Sequence, residues 1–367
     1  MSNLSELLGG AGGGASSIIK VTRTSNVILA SADLGKLIDI TSGTFTQTFS
    51  ASATLGDGWY CYIRNNGTGD ITLDPNASET IDGLTSFIMY PNEVRLIQCD
   101  GSTLTSIVLS AFHKVFTSSA TFIKPTGYSG FSVYVLGAGG GGGGGGVANG
   151  RGGGGGAGGG SIKFDFSQDA LSSSESVTIG AGGTSASTTA GTDGGNTTFS
   201  TLKGYGGEGG GVGATYNVNV PLATGGGVMS EDDTASGLRY TRLANGSSEW
   251  GGAGTGNNNP RNSVGMFGYS SVWGGSAGGA GQLNVFAAGE GGLSRTITDT
   301  MRGGGGSATL GGAGGNGPTY GGGGGGSGAI GGNGGYGCGG GGGGNTSSAA
   351  YSGGNGGSGL VEIWGIA

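Results

Sequence analysis

The sequence GGGGGSGAIGGNGGYGCGGGGGGN, residues 322–345, has a glycine at every third position. A left-handed helix of the polyproline II type has three residues per turn and no internal hydrogen bonds. In this stretch, one face of such a helix therefore carries no side chains. Its amides must find partners outside the helix, and bare faces let neighbouring backbones exchange N–H···O=C bonds. The stretch thus predicts glycine helices that pack side by side.

The same three-residue phase recurs in four other stretches: 137–146, 150–159, 204–213 and 275–281. The alternative interpretation is a flexible linker or a disordered segment, because glycine-rich chains usually lack the apolar area that offsets their ordering entropy. Three observations favour order: the recurring phase, the alternating apolar segments around the region, and gaps filled by Tyr, Trp, Phe and Val rather than by Ser, Glu and Lys.

The composition restricts the classes of protein to consider. Only 13 of the 98 glycines lie at or before Lys114, which leaves 85 in the remaining 253 residues. That share is collagen-like, but the chain has only 6 prolines and no continuous G-X-Y period, which argues against a triple helix. The net charge is −7, and Arg151 is the only arginine inside a long glycine run, which argues against a nucleic-acid partner.

The length leaves room for two domains, and the glycines mark three regions. We predict an N-terminal helix and glycine hinge over 1–15, a β-sandwich domain over 16–112 and a glycine-rich domain over 113–367. In the helix, Asn3 and Glu6 resemble a capping box, and Leu4, Leu7 and Leu8 share one face. So short a helix is unstable alone, so these leucines either belong to a frayed terminus or dock on a partner or on copies of the chain.

Region 16–112 contains nine short apolar or alternating runs separated by turn sequences such as Asp57-Gly58 and Asp100-Gly101. This spacing is typical of a β-sandwich. The cysteines Cys61, Cys99 and Cys338 match no metal spacing, and His113 has no evident Ser or Cys partner. No pair of carboxylates suited to glycoside hydrolysis can be identified. We therefore expect no enzyme activity, no cofactor and no metal.

Three strands are predicted to frame the glycine-rich domain, because apolar residues alternate with polar ones in each. The alternating apolar residues are Phe131, Val133 and Val135; Ile162, Phe164 and Phe166; and Val361 and Ile363, which flank Glu362. We expect the last strand to pair near residues 131–136. No signal peptide and no apolar run of transmembrane length is present in the sequence, so membrane insertion is not expected.

Three segments inside the glycine-rich region lack the three-residue phase: 212–250, 257–273 and 282–302. They concentrate aromatic residues and five of the nine basic residues after Lys114, as binding hot spots do. The predicted receptor-binding residues are Tyr216, Arg239, Tyr240, Arg242, Trp250, Arg261, Phe267, Tyr269, Trp273, Phe286, Arg295 and Arg302. Alternatively, the aromatic residues cap the ends of the bundle. The acidic triplet Glu231, Asp232 and Asp233 either binds a cation or is a solvated loop.

Two parts of the chain resemble known proteins. GKLID at 35–39, ITLDP at 71–75 and IDG at 81–83 resemble a β-domain of tailed-bacteriophage fibre proteins, and MSNLSELL followed by glycines is similar to the amino termini of tail-fibre proteins. FSVYVL running into glycines, then SIKFDF, GGNTTF and a closing GLVEIWGIA, are similar to the glycine-rich domain that ends many phage tail proteins. The tip adhesins of T-even-like phages, whose glycine segments pack as a polyglycine II sandwich, are an architectural analogy.

The resemblance implies a tail-fibre or tail-tip protein that is assembled in the host cytoplasm and carried on the virion. Its loops would bind a host surface receptor, either a glycan or an outer-membrane protein. Leu4, Leu7 and Leu8 would attach it to other phage tail proteins, and a homotrimer is expected. The alternative is a purely structural tail component.

Overall fold

The computed structural model describes residues 17–146, 152–213, 275–279, 288, 291, 312–346 and 348–367. The fold is mainly β, as predicted. The chain divides into two compact units. The first contains residues 17–114, Ile123–Phe131 and Trp364–Ala367, and the second contains Val115–Phe122 and the described part of Ser132–Ile363. The predicted attachment residues Leu4, Leu7 and Leu8 lie outside the described residues.

The first unit contains two sheets. A five-stranded sheet has the order β1-β2-β4-β7-β8, and a three-stranded sheet has the order β3-β5-β6. The strands are β1 (Lys20–Arg23), β2 (Leu37–Ile40), β3 (Phe45–Thr48), β4 (Asp57–Asn65), β5 (Ile71–Asp74), β6 (Phe87–Met89), β7 (Val94–Asp100) and β8 (Leu104–Ser110). A 3₁₀ turn covers Ser31–Asp33 and one α-helical turn covers Ser52–Leu55.

The two sheets share one hydrophobic core, as expected for a sandwich. Ile38 and Ile63 of the larger sheet and Ile71 and Met89 of the smaller one are fully buried in the same cluster. The winding was not predicted, because β1, β2 and β4 are parallel to one another and β3 is parallel to β5. From β2 to β5 the chain therefore alternates between the sheets, and the antiparallel pair β7 and β8 then completes the larger sheet.

The first unit also contains a fully buried ion pair. Arg95 Nε donates a hydrogen bond to Glu93 Oε1 at 2.5 Å, and both side chains are fully buried. The guanidinium also donates to Ser106 Oγ at 2.8 Å and to the Thr126 carbonyl at 2.7 Å. Burial raises the pKa of Glu93, and the Arg95 charge opposes that shift. The pair is held by several hydrogen bonds, which is the condition under which a buried charge is tolerated.

The cysteines and the histidine have structural environments. Cys61, Cys99 and Cys338 are buried free thiols, and burial raises the pKa of Cys61. The His113 ring stacks on the Trp364 ring, with centroids 4.7 Å apart and planes within 6°.

The remaining strands form two four-stranded sheets, with orders β10-β13-β14-β15 and β12-β11-β16-β9. Their bounds are β9 (His113–Phe116), β10 (Ala120–Ile123), β11 (Gly130–Leu136), β12 (Ser161–Ser167), β13 (Ser174–Thr178), β14 (Thr197–Phe199), β15 (Leu202–Gly204) and β16 (Leu360–Ile366). A 3₁₀ turn covers Gln168–Ala170. Because β16 is the neighbour of β11, the predicted pairing of the last strand is confirmed.

The predicted alternation of buried and exposed residues in the framing strands was only partly right. Phe131, Val133 and Val135 are buried, but so is Tyr134, so β11 is covered on both faces. An alternating pattern predicts one buried face only for a strand whose other face meets water, and β11 is not such a strand. Phe164 is 51% exposed instead of buried, and Glu362 of β16 is buried, where its carboxylate accepts a hydrogen bond from the Tyr320 hydroxyl at 3.4 Å.

Candidate functional site

Segment 137–145 of the second unit makes hydrogen bonds with a three-residue period. Its backbone N–H groups donate to three neighbouring segments in rotation, at N···O distances of 2.8 to 3.1 Å. Gly137, Gly140 and Gly143 donate to the carbonyl groups of Gly160, Ala157 and Gly154, respectively. Ala138, Gly141 and Gly144 donate to those of Gly195, Thr192 and Thr189. Gly139, Gly142 and Gly145 donate to those of Gly357, Gly354 and Tyr351. Three residues per turn is the period of the predicted glycine helix, which is therefore confirmed.

The carbonyl groups of the same segment accept hydrogen bonds from three further segments. Gly207 and Gly210 donate to Ala138 and Gly141, Gly340 donates to Gly140, and Gly183 donates to Gly139. Six segments thus surround 137–145: 153–160, 180–186, 189–195, 206–213, 337–344 and 351–357. Neighbours in this ring also bond to one another, which gives hexagonal packing.

A second segment, 337–344, is enclosed in the same way. Its six neighbours are 137–145, 153–160, 275–279, 321–327, 329–335 and 351–357. We call the two enclosed segments and their neighbours, together with 312–318, the glycine bundle. Segment 312–318 joins it through the hydrogen bond from Gly314 N to the Ile330 carbonyl, at 3.0 Å.

The close approach of these backbones requires glycine. A Cβ atom on Gly140 would lie 2.0 Å from the Glu208 carbonyl oxygen, and one on Gly340 would lie 2.0 Å from the Gly354 carbonyl oxygen. For Gly331 and Gly334, in the stretch that predicted the packing, the corresponding distance to a carbonyl oxygen is 2.2 Å. These faces have no room for any side chain.

The structure divides stretch 322–345, which keeps its glycine phase throughout, into separate segments. It forms parts of three segments, 321–327, 329–335 and 337–344, and neighbouring segments run in opposite directions: Gly332 N donates to the Gly324 carbonyl, and Gly341 N donates to the Gly332 carbonyl. The turns fall at Gly328 and Gly337, whose φ angles are 63° and 67°. Glycine adopts this left-handed conformation without steric cost, so the same residue type forms both the segments and the turns.

Four segments form an outer row of the bundle, each bonded to the next in the order 312–318, 329–335, 351–357 and 180–186. Segments 153–160 and 275–279, on the other side of the two enclosed segments, are buried throughout. In contrast, several side chains of the outer row are exposed, among them Ile330 at 52%. The outer row is therefore an accessible face of the bundle.

Three exposed asparagines lie in register across this face, and we call them the asparagine row. The Asn316 Oδ1 atom accepts the backbone N–H of Asn333 at 2.9 Å, and Asn333 Oδ1 accepts that of Asn355 at 2.8 Å. Asn355 Oδ1 accepts the N–H of Ser185 at 2.8 Å. Each carboxamide thus satisfies an outward amide that has no further glycine segment to bond with.

Sequence reasoning missed the asparagine row, although a signal was present. The tetrapeptide GGNG occurs at 314–317, 331–334 and 353–356, each time with its asparagine at the same position of a parallel segment. A search for repeats inside the glycine phase would have found it.

A shallow groove of about 290 Å³ adjoins the asparagine row. Its lining comprises Gly317, Pro318, Thr319, Gly334, Gly335, Tyr336, Gly357 and Ser358. The Tyr336 ring lies 6.4 Å from the Tyr320 ring, centroid to centroid. Among the described residues, no charged side chain lines this groove.

A family described as a glycine-rich domain matches residues 115–364. The chain belongs to this glycine-rich domain family. No curated protein matches the chain. The matched region spans the glycine bundle, and so the glycine-rich part of the resemblance drawn from the sequence is confirmed, whereas the phage-tail part stays a prediction.

The predicted receptor-binding residues of the glycine-rich domain all lie outside the described residues, as do Glu231, Asp232 and Asp233. The structure instead places the residues that flank these segments. Gly213, which precedes residues 214–274, donates its N–H to the Gly144 carbonyl at 2.9 Å. Gly275, which follows them, donates to the Gly159 carbonyl at 2.8 Å.

Within the described residues, no group of three or more His, Cys, Asp or Glu side chains is arranged to hold a metal ion. No helix in the described ranges has the length and apolar character needed to cross a membrane.

Proposed function

We propose that this protein is a bacteriophage tail-fibre or tail-tip protein that binds a host surface receptor through segments carried on the glycine bundle. The observation that carries the proposal is the position of those segments' flanks. The bundle has one end where the strands attach: Gly137 follows β11, Gly160 precedes β12, and Gly137 N donates to the Gly160 carbonyl at 2.9 Å.

One of the segments with recognition chemistry, 212–250, begins at the opposite end. Segment 206–213 runs parallel to 137–145, because Gly207, Gly210 and Gly213 donate in order to Ala138, Gly141 and Gly144. Residues 147–151 and 214–274 thus both begin beside Gly144, away from the strands. Residues 214–274 end at Gly275, which lies beside Gly159 near the strands. A rigid backbone lattice that carries such insertions is a suitable scaffold for binding segments.

The composition of these segments indicates the kind of receptor. Aromatic side chains stack on sugar faces, and arginine offers planar donors to carboxylates and phosphates of a cell envelope. We therefore propose a glycan or an outer-membrane protein as the host receptor, and other phage tail proteins as the attachment partners.

Competition for adsorption tests the proposal. Purified full-length protein should reduce the adsorption of the phage that carries it, and Trp250→Ala together with Arg242→Ala should abolish that competition. Phe164→Ala is a matched control, since it removes an exposed aromatic ring from β12. Absence of competition by the unaltered protein would contradict receptor binding.

A purely structural tail component is the second candidate, and one observation favours it. Five large apolar side chains are more than half exposed within a short part of the first unit: Ile18, Ile19, Val27, Ile28 and Leu34. Exposed apolar groups of this kind often mark protein–protein contacts. These side chains could contact either another tail protein or the other copies of a homotrimer. For a homotrimer, light scattering on the isolated protein should give the mass of three chains. Ile19→Glu should lower the measured mass.

A further inference from the structure

The asparagine row and the adjoining groove are considered together as one candidate surface. Asn316 and Asn333 directly precede Gly317 and Gly334, which line the groove. Both features belong to parallel segments of the outer row, so their side chains repeat in register. The described residues of this surface belong to none of the predicted receptor-binding segments, and we consider the surface as a second candidate site.

The donor groups of the row are available to a ligand. Each Oδ1 atom is occupied by a backbone N–H, which fixes the orientation of the carboxamide. The Nδ2 group of each asparagine carries two donor hydrogens and has no partner among the described residues. Since all three residues are exposed, the row presents a line of amide donors that no described residue occupies.

The groove adds an aromatic ring and two hydroxyl groups. Tyr336 supplies the ring, and Thr319 and Ser358 supply hydroxyls that can donate and accept hydrogen bonds. The rest of the lining is Pro318 and glycine, so a ligand can approach the backbone closely. Because the described lining carries no charge, it offers no counterion to an acidic or basic ligand.

We propose that this surface binds a linear, neutral glycan. One sugar ring stacks on Tyr336, and the hydroxyl groups of the following sugars accept hydrogen bonds from the asparagine row. Stacking against an aromatic face together with a few placed polar groups is the recognition that a hydroxyl-rich, uncharged ligand requires. The inference does not depend on the identity of the particle that carries the protein.

Isothermal titration of the full-length protein with four neutral hexasaccharides tests the proposal. The probes are cellohexaose, maltohexaose, mannohexaose and the hexamer of N-acetylglucosamine. At least one should bind, and Tyr336→Ala should weaken it by about tenfold or more. Ser358→Trp, which fills the groove, should abolish binding, and Asn333→Ala should weaken it by about threefold to tenfold.

Matched variants separate binding from folding. Asn196 caps the N–H of Gly206 in the way the row asparagines cap their neighbours, but it does not line the groove, so Asn196→Ala should leave binding unchanged. Tyr60→Ala removes a 38% exposed ring from the first unit and should also have no effect. The thermal midpoints of Tyr336→Ala and Ser358→Trp should match that of the unaltered protein.

Two results would overturn the inference. The first is no heat of binding with any hexasaccharide at a concentration of about 1 mM, where even weak binding is detected. The second is binding by Tyr336→Ala and Ser358→Trp that equals binding by the unaltered protein. Neither result bears on the proposal of receptor binding, which the adsorption assay tests through Trp250 and Arg242. Conversely, glycan binding that persists without adsorption competition would support this site and contradict the receptor proposal.

Discussion

Each of the two units is stabilised by the burial of a different part of the chain. The first buries side chains: Ile38, Ile63 and Ile71 are fully buried in a core shared by two sheets. The glycine bundle buries backbone: around 137–145, six neighbouring segments exchange N–H···O=C bonds with almost no side chain between them. Hydrophobic burial dominates most folds, so the bundle depends on a different balance.

This difference teaches what each unit tolerates. Ordering glycine costs more conformational entropy than ordering any other residue, and the bundle offsets that cost with hydrogen bonds for nearly every amide of its enclosed segments. Adding a methyl group should therefore damage the bundle, whereas removing one should damage the first unit. Substitutions in each unit can probe this asymmetry.

The largest effect is expected from Gly340→Ala. The added Cβ would lie 2.0 Å from the Gly354 carbonyl oxygen, and an enclosed segment cannot move away from six neighbours. Overpacking of this kind should cost more than about 3 kcal/mol and destroy the bundle. Hydrogen exchange followed by mass spectrometry should show lost protection over 137–145 while 57–65 of the first unit stays protected.

Gly56→Ala is the matched control for this substitution. Gly56 has a φ of 88° and a ψ of 162°, a region that other residues rarely adopt, so alanine meets backbone strain of about 1–3 kcal/mol. It meets no clash, because a methyl group added there would have no atom within 4 Å. If Gly340→Ala cost no more than Gly56→Ala, the bundle would not be a close-packed lattice.

The packing of the bundle was predictable because it follows from a local rule. Every third residue must be glycine, and that phase is visible in residues 322–345. The division into three segments was not predictable from the phase, because Gly328 and Gly337 form turns while keeping it. In the first unit, eight of the nine predicted runs overlap a strand; the other run, NVILA at residues 26–30, contributes only the isolated bridge at Leu29.

The sequence did not reveal which strands and which glycine segments pair with one another. The parallel pairing of β2 with β1 and β4 joins residues that the intervening runs separate, and alternation of side chains does not identify a strand's partner. The asparagine row has the same origin, since Asn316, Asn333 and Asn355 become neighbours only when three segments align in parallel.

The next largest effect is expected in the first unit, from Glu93→Gln. This change leaves Arg95 buried without a charged partner, which typically costs about 3–5 kcal/mol. Thermal unfolding should show the loss in the first unit alone. The double variant Glu93→Leu with Arg95→Met should recover most of it, because a packed apolar pair avoids the buried charge. A single variant as stable as the unaltered protein would contradict the importance of the pair.

A smaller effect is expected from Asn333→Ala, which tests the side chains that the bundle does use. The substitution removes the acceptor for the Asn355 amide at an exposed position, so it should cost about 0.5–1.5 kcal/mol. Asn333→Asp keeps an acceptor oxygen at the same place, now in a carboxylate, and should leave the stability almost unchanged. Exchange of the Asn355 amide, measured by NMR, should accelerate only in the alanine variant. Equal rates in both variants would show that Asn333 does not cap that amide.

Mild acid should produce the smallest effect, and it should separate the two units again. In the first unit, the hydrogen bond from Arg64 Nε to Asp39 Oδ1, 2.8 Å long, lowers the pKa of Asp39, and the charges of Arg64 and Lys20 add to the shift. A lowered carboxyl pKa stabilises the folded state above the unfolded pKa of about 3.9, and this stabilisation is lost as the pH falls through the folded value.

The hydrogen bonds of segment 137–145 join backbone groups, which do not titrate in this range. Asp39→Asn should therefore lower the stability of the first unit by at most about 1 kcal/mol near neutral pH, since Arg64 is partly exposed. The unaltered protein and the variant should converge in thermal midpoint as the pH falls below about 3.9, while the transition of the bundle stays the same in both. A gap between the two proteins that persisted in acid would mean that Asp39 stabilises the unit through packing and not through its charge.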